Sequence, residues 1–157
     1  MKQLFISLVR PLLEFANVAC MPRFQKDIDT LESVQRRATK IVPGMKNMCY
    51  SERLKLMKLP SLRYRRCRGD LIEVYKYTHN FYNVKNSIFT LDVNDRTRGH
   101  KYKLVKPRCR LQVRQDFFGH RIIDKWNNLP ENVVDAPSLN CFKSRLDKHL
   151  EAEIYQP

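Results

Sequence analysis

The residues with the clearest chemical content lie in one stretch, RTRGHKYKLVKPRCRLQVR at 96–114. It holds eight lysines and arginines (Arg96, Arg98, Lys101, Lys103, Lys106, Arg108, Arg110 and Arg114), one histidine and no acid. The flanking carboxylates are Asp95 and Asp116. Like charges at this density repel one another and attract a polyanion, so the chemistry indicated is contact with phosphates. In 108–114 the cations Arg108, Arg110 and Arg114, with Gln112, alternate with Cys109, Leu111 and Val113. That period of two predicts a strand with one cationic face. Side chains on one face recur every ~6.6 Å, close to the ~6–7 Å between phosphates of a duplex strand. KYKLV at 101–105 alternates in the same way, so an antiparallel pair turning at Lys106-Pro107 is expected, with Lys101, Lys103 and Lys106 beside the arginines.

A second cationic cluster, Arg63, Arg65, Arg66 and Arg68, ends an acid-free run at 53–68. At helical spacing Arg63 and Arg66 share a face with Asp70, and Arg66 can pair with it, so phosphate contact competes here with a structural role. Arg36 and Arg37 read as a solvated helix face. Tyr102, between two lysines, has the composition of a base-stacking position, but its alternation with Leu104 favours the core. Phe117, Phe118 and Trp126 follow helical spacing and are also assigned to the core.

Other chemistries lack their residues. No Asp-Asp pair, C-x-x-C or H-x-x-x-H occurs, and His100, Cys109 and His120 are too dispersed for a zinc set. Four isolated glycines (44, 69, 99 and 119) exclude a phosphate-binding loop and a dinucleotide fingerprint, and Gly99 is assigned to a turn at RGHK. There is no nucleophile elbow. Asp92 and Asp95, without a second acidic cluster, make no metal-nuclease set. No cofactor and no small-molecule substrate are expected, and the chain by itself is not expected to be an enzyme.

Positioning these residues falls mainly to helices. Leu4, Phe5, Leu8, Leu12, Phe15 and Ala19 predict a helix over 3–19, kinked at Pro11. A second fits 27–42, capped by Asp27, with Ile28, Leu31, Val34, Ala38 and Ile41 inward and Pro43-Gly44 as its stop. Ser51 is the expected cap of a short helix to Leu59. Ser61 opens a longer one, with Cys67, Leu71, Val74, Tyr75 and Thr78 on one side. NVKNSIFTLDVND at 83–95 is polar enough for a linker. After the basic pair, Phe118, Ile122 and Trp126 mark a helix ending near Leu129-Pro130. PENVVDAPS is turn-rich, and Ser138 caps a last helix facing inward through Leu139, Phe142, Leu146 and Leu150. The expected organisation is a helical region at 1–82, a linker at 83–95, and a basic β hairpin with two C-terminal helices at 96–157.

At 157 residues the chain suits one domain or two small ones. Apolar residues at 43% can build a core, and 30 Lys and Arg against 16 Asp and Glu give a net charge of +14 spread along the whole chain rather than in a tail. Five scattered cysteines argue for free thiols and a reducing compartment. The opening MKQLFISLVRPLLEF is interrupted by Arg10, Pro11 and Glu14, and no run reaches the ~18 apolar residues of a membrane span. A soluble intracellular protein without membrane partners is expected.

SLVRPLLEFANVACMP, DIDTLESVQRRATKIVPG, RYRRCRGDLIEVYK and the segment from TRGHKYKLVKPRCR through DKWNNLPENVVDAPSLNCFKSRLDKHL follow in order from Leu4 to Leu150. Together they resemble the C-terminal part of the reverse transcriptase of non-LTR, LINE-type, jockey-like retrotransposons. The markers are Val9-Arg10-Pro11 with Glu14, Gln35-Arg36-Arg37-Ala38, Arg65-Arg66 before Gly69-Asp70, Thr97-Arg98-Gly99-His100, and Trp126-Asn127 with Leu129-Pro130. Cys20 and Phe15 depart from the tryptophan and tyrosine usual in that family. The resemblance implies a mainly α fold, a helical thumb-like bundle followed by a C-terminal extension. It implies RNA or an RNA–DNA hybrid as partner, together with the polymerase palm of a parent RNA-directed DNA polymerase. That palm would carry the paired carboxylates and magnesium, and its aromatic-x-Asp-Asp turn is absent from these residues. The place implied is the nucleus or cytoplasm. The competing expectation is a non-catalytic protein-interaction module, or an inert remnant, whose helices need the palm to pack.

Overall fold

Helices carry most of the chain. The computed structural model describes residues 2–19, 21–82, 88–92 and 99–156. Arg96, Arg98, Cys20 and most of the 83–95 segment lie outside the described residues. Two compact units form: Met1–Cys67 with Glu151–Pro157, and Arg68–Leu150. This division does not coincide with the 83–95 linker, because the helix Leu62–Thr78 contributes its first residues to one unit and the remainder to the other.

In the first unit Lys2–Leu4, Phe5–Val9 and Arg10–Glu14 run on as one helical stretch, with the middle part π-helical. Pro11 lies inside this stretch, just after its π-helical part, and the helix continues through it. Helicity stops at Glu14, short of the expected residue 19. Phe5 is buried, whereas Leu4, Leu8, Leu12 and Phe15 are exposed, so the expected inward face is largely turned to solvent. Arg65 clasps Glu14 with Nε and Nη2, and Arg66 Nη2 donates to the Leu13 carbonyl at 2.5 Å.

The helix Gln25–Lys40 begins two residues before Asp27, so Asp27 lies in the first turn, where its charge favours the dipole, and is not the cap. Its buried residues are Glu32, Gln35 and Thr39, whereas Val34 and Ile41 are exposed. Glu32 accepts from Tyr50 Oη at 2.5 Å and Leu62 N at 3.0 Å, Gln35 Nε2 donates to the Pro60 carbonyl at 3.0 Å, and Arg53 Nε donates to Thr39 Oγ1 at 3.1 Å. Cys49 rather than Ser51 precedes the helix Tyr50–Met57, and Glu52 reaches back to the Cys49 N–H. This helix ends through Lys58 in the left-handed region, before Pro60 is reached. Leu54, Met57 and Leu59 form the apolar centre of this unit, with Ile6, Val42, Met45, Tyr50 and Tyr155 against it.

In the second unit Leu71, Val74 and Tyr75 of Leu62–Thr78 are buried with Phe118, Ile122, Trp126, Phe142 and Leu146. Tyr75 stacks on Phe142 at 4.3 Å and donates to the Ala136 carbonyl at 2.6 Å. Trp126 is 0% exposed. The helix expected to end near Leu129 is broken into Phe118–Arg121 and Ile123–Asn127, and the turn-rich 130–138 contains a further turn of helix, Glu131–Val134. Ser138 caps Leu139–His149 by accepting from Cys141 N at 3.2 Å, as expected.

The expected β hairpin is not formed. Among the described residues there is no strand, only an antiparallel bridge of Leu91 to Leu104. The backbone of 100–105 finds other partners. Trp126 Nε1 donates to the Tyr102 carbonyl at 2.8 Å, and the Asn127 amide both accepts from Leu104 N and donates to Leu104 O, each at 2.9 Å. Asp92 N donates to Lys103 O and Val105 N to Thr90 O. The segment expected to be linker therefore supplies the partner of 103–105 and places Phe89 in the core. With these groups occupied, 108–114 has no strand to join. Val113 and Arg114 fall instead in the short helix Gln112–Gln115.

Candidate nucleic-acid interface

After Leu104 the chain runs through 105–111 without regular secondary structure and largely exposed, and turns at the short helix Gln112–Gln115. Gln115 Nε2 donates to the Cys109 carbonyl at 3.0 Å, closing this excursion into a loop. Arg108, Arg110 and Arg114 are exposed, and among the described residues none of the three meets a carboxylate. A single cationic ribbon, which requires extended backbone to Arg114, ends at Leu111.

Two grooves meet on this loop. A mainly basic one of about 510 Å³ is lined by Lys106, Arg108 and Arg121 with one acid, Asp116, and by Gln112 and Gln115 among others, and an apolar one of about 520 Å³ by Ile88, Leu111, Val113, Arg114 and Phe117. Pro107 and His120 line both. Arg121 is fixed by Nε and Nη2 on Asp70 Oδ2, at 3.2 and 3.0 Å, and by Nη1 on the Asp116 carbonyl at 3.2 Å. Sequence reasoning placed Gln112 on the same face as Arg108 but did not find Arg121 or Gln115, whose proximity to Arg108 comes only from the turn.

The remaining candidates are dispersed. Lys101 pairs with Asp135 at 2.8 Å, which raises the lysine pKa and lowers that of the aspartate, and Lys106 pairs with Asp124. Lys103 packs along Gly99, whose φ of +130° suits the turn assigned to it. Arg65 is engaged by Glu14, Arg66 by Leu13, and Arg68 by Asp147 through Nε and Nη2. Arg63 is exposed. In that cluster, then, three of four guanidinium groups hold the fold together. Phe117, assigned to the core, is 51% exposed, whereas Tyr102 is half-buried over His79.

Comparison with protein-family models, curated proteins and solved structures finds no match. Among the described residues no group of three potential metal ligands exists, no helix is long and apolar enough to cross a membrane, and Cys49, Cys67, Cys109 and Cys141 are free thiols.

Acid should weaken the second unit. Burial lowers the pKa of His100, whose Nε2 lies 3.1 Å from the Trp126 carbonyl, and of His79, stacked on Tyr75 at 3.9 Å. Both are neutral when folded and regain the ordinary value near 6.5 when unfolded. Below that value the unfolded chain binds protons the folded chain does not, so stability is complete above about pH 7 and falls as pH drops below about 6.5. Urea unfolding followed by the fluorescence of Trp126, the single tryptophan, is expected to show this loss, and His100→Gln to make it shallower.

Proposed function

We propose that this chain holds RNA or an RNA–DNA hybrid by its phosphates, without itself catalysing a reaction, as the thumb and C-terminal extension of a non-LTR retrotransposon reverse transcriptase do. The observation that carries the reading is the contrast between Arg108, Arg110 and Arg114, exposed and unmatched among the described residues, and the candidates Arg65, Arg68, Lys101 and Lys106, which face carboxylates, and Arg66, which faces a backbone carbonyl. Flexible cations on an exposed loop follow a phosphate chain without reading bases, which suits A-form duplexes whose major groove is closed to side chains. The ordered markers from Val9-Arg10-Pro11 to Leu129-Pro130 support the parentage, and with it a nuclear or cytoplasmic place, a palm partner and a magnesium requirement of the parent enzyme. Filter binding of the protein to a hybrid duplex across a salt series tests the proposal. Binding that does not weaken with salt contradicts it.

One observation favours a second reading, a protein-interaction module. Leu4, Leu8, Leu12 and Phe15 lie exposed along the first helical stretch, with Leu12 at 77%. Such a row is an apolar surface for docking, and in the parent enzyme the palm would cover it. On size exclusion the protein is then expected to elute above its 18.8 kDa monomer mass, and Leu8→Glu with Leu12→Glu to restore the monomer. A wild-type monomer at all concentrations removes this reading.

A further inference from the structure

We propose that the joined grooves of the 105–120 loop take an unpaired nucleotide, its base in the apolar groove and its phosphate in the basic one. This deepens the proposed function, on which it rests, by naming single-stranded nucleic acid as the form bound at this site. A phosphate chain alone explains the exposed arginines, but not the apolar surface beside them. Leu111 is 72% exposed and Val113 80%, and Phe117, with half its surface in solvent, lines the same groove as both. Apolar side chains at such exposure gain nothing from the fold; Arg114 lines their groove and Arg108 the adjoining one, and this charge opposes both self-association and cationic partners.

The ligand must therefore be anionic and carry an apolar planar part at short distance from its charge. A nucleotide with its base unstacked meets both requirements, whereas a duplex presents only its phosphates. The geometry is consistent in two further respects. Pro107 and His120 line both grooves, so the two sites adjoin. Gly119, lacking a side chain, leaves Ile88 and Phe117 at the groove, because a Cβ there would sit 2.8 Å from Ile88 Cγ2 and 3.5 Å from Phe117 Cε1. Each groove falls within the ~300–1,000 Å³ usual for small-ligand sites.

The test compares an oligothymidine with an abasic strand of the same length and charge, by fluorescence anisotropy at fixed salt. The oligothymidine is expected to bind at least about fivefold more tightly, the lower end of what one stacked base contributes. Leu111→Ser with Val113→Ser, at two solvent-exposed positions, is expected to abolish that preference and leave abasic binding unchanged. Equal binding of both strands by the wild type overturns the inference while phosphate holding stands. A preference that survives the double substitution overturns the assignment to this groove. Failure to bind either strand, or the hybrid, overturns both proposals.

Discussion

Replacing Arg108, Arg110 and Arg114 together by alanine is expected to flatten the salt dependence of hybrid binding by about 2 to 3 log units of affinity per log unit of salt. Each neutralised phosphate contributes about −0.7 to −0.9 to that slope, through release of condensed counterions. Between 50 and 200 mM salt the wild type should lose about 20- to 40-fold more affinity than the variant. Starting from all eight cations of 96–114, a wild-type slope of roughly −3 to −5 is expected if four to six engage phosphates. Of these eight, Lys101 and Lys106 already face Asp135 and Asp124. Those two pairs are exposed and worth little, so Lys101→Ala serves as the control, with a slope change below one. Among the described residues the three arginine side chains make no hydrogen bond or ion pair, and their removal should leave the unfolding midpoint within experimental error. An unchanged slope in a folded triple variant removes this loop from the interface.

The second large effect is on stability. Glu32 is 2% exposed, and its two carboxylate oxygens receive the Tyr50 hydroxyl and the Leu62 N–H. Leu62 begins a long helix, so its N–H is one of the donors that the helix itself leaves unpaired, and a carboxylate there also answers the helix dipole. Burial, and after it the bond to Glu32, pushes the Tyr50 pKa far above its ordinary value, which keeps the hydroxyl a donor. Arg36 and Arg53 lie over the Tyr50 ring at 5.0 and 5.5 Å. Glu32→Ala strands both donors in the interior and is expected to cost about 3–5 kcal/mol, a large share of the ~5–15 kcal/mol typical of a domain. Glu32→Gln keeps the shape and one acceptor, and about 1–2 kcal/mol is expected. Urea unfolding followed by far-ultraviolet circular dichroism reads the first unit, which has no tryptophan. A cost below 1 kcal/mol for Glu32→Ala would mean that the polar cluster contributes little.

Glu32 also shows where local pattern misleads. Apolar spacing in Gln25–Lys40 selects Ile28, Leu31, Val34, Ala38 and Ile41 as the inward face, yet Glu32, Gln35 and Thr39 are the buried residues. The face is rotated because the surface it meets is polar: the Pro60 carbonyl, the Leu62 N–H, Tyr50 and Arg53. Periodicity counts apolar residues and is blind to a partner's hydrogen-bonding groups. The same blindness explains the hairpin. Alternation at 101–105 and 108–114 is compatible with a strand pair, but strand pairing is a contest between possible partners, and Asn127, Trp126 and Thr90 satisfy the backbone of 102–105 first.

Composition and order along the chain alone determined the mainly helical character, the core positions at Leu71, Val74, Tyr75, Phe118, Ile122, Trp126 and Phe142, the Ser138 cap, and the excess of positive charge around 96–114. These depend on burial and capping within a few turns, which short-range spacing encodes. Which cations remain open to a ligand was decided only by tertiary structure. Glu14 and Asp147 reach Arg65 and Arg68 from distant parts of the sequence, and a turn at Gln112–Gln115 gathers Arg108 and Arg121 around one groove and Arg114 and Phe117 around its neighbour. A charge is neutralised by whatever the fold brings within a few ångströms of it, and sequence separation says nothing about that distance.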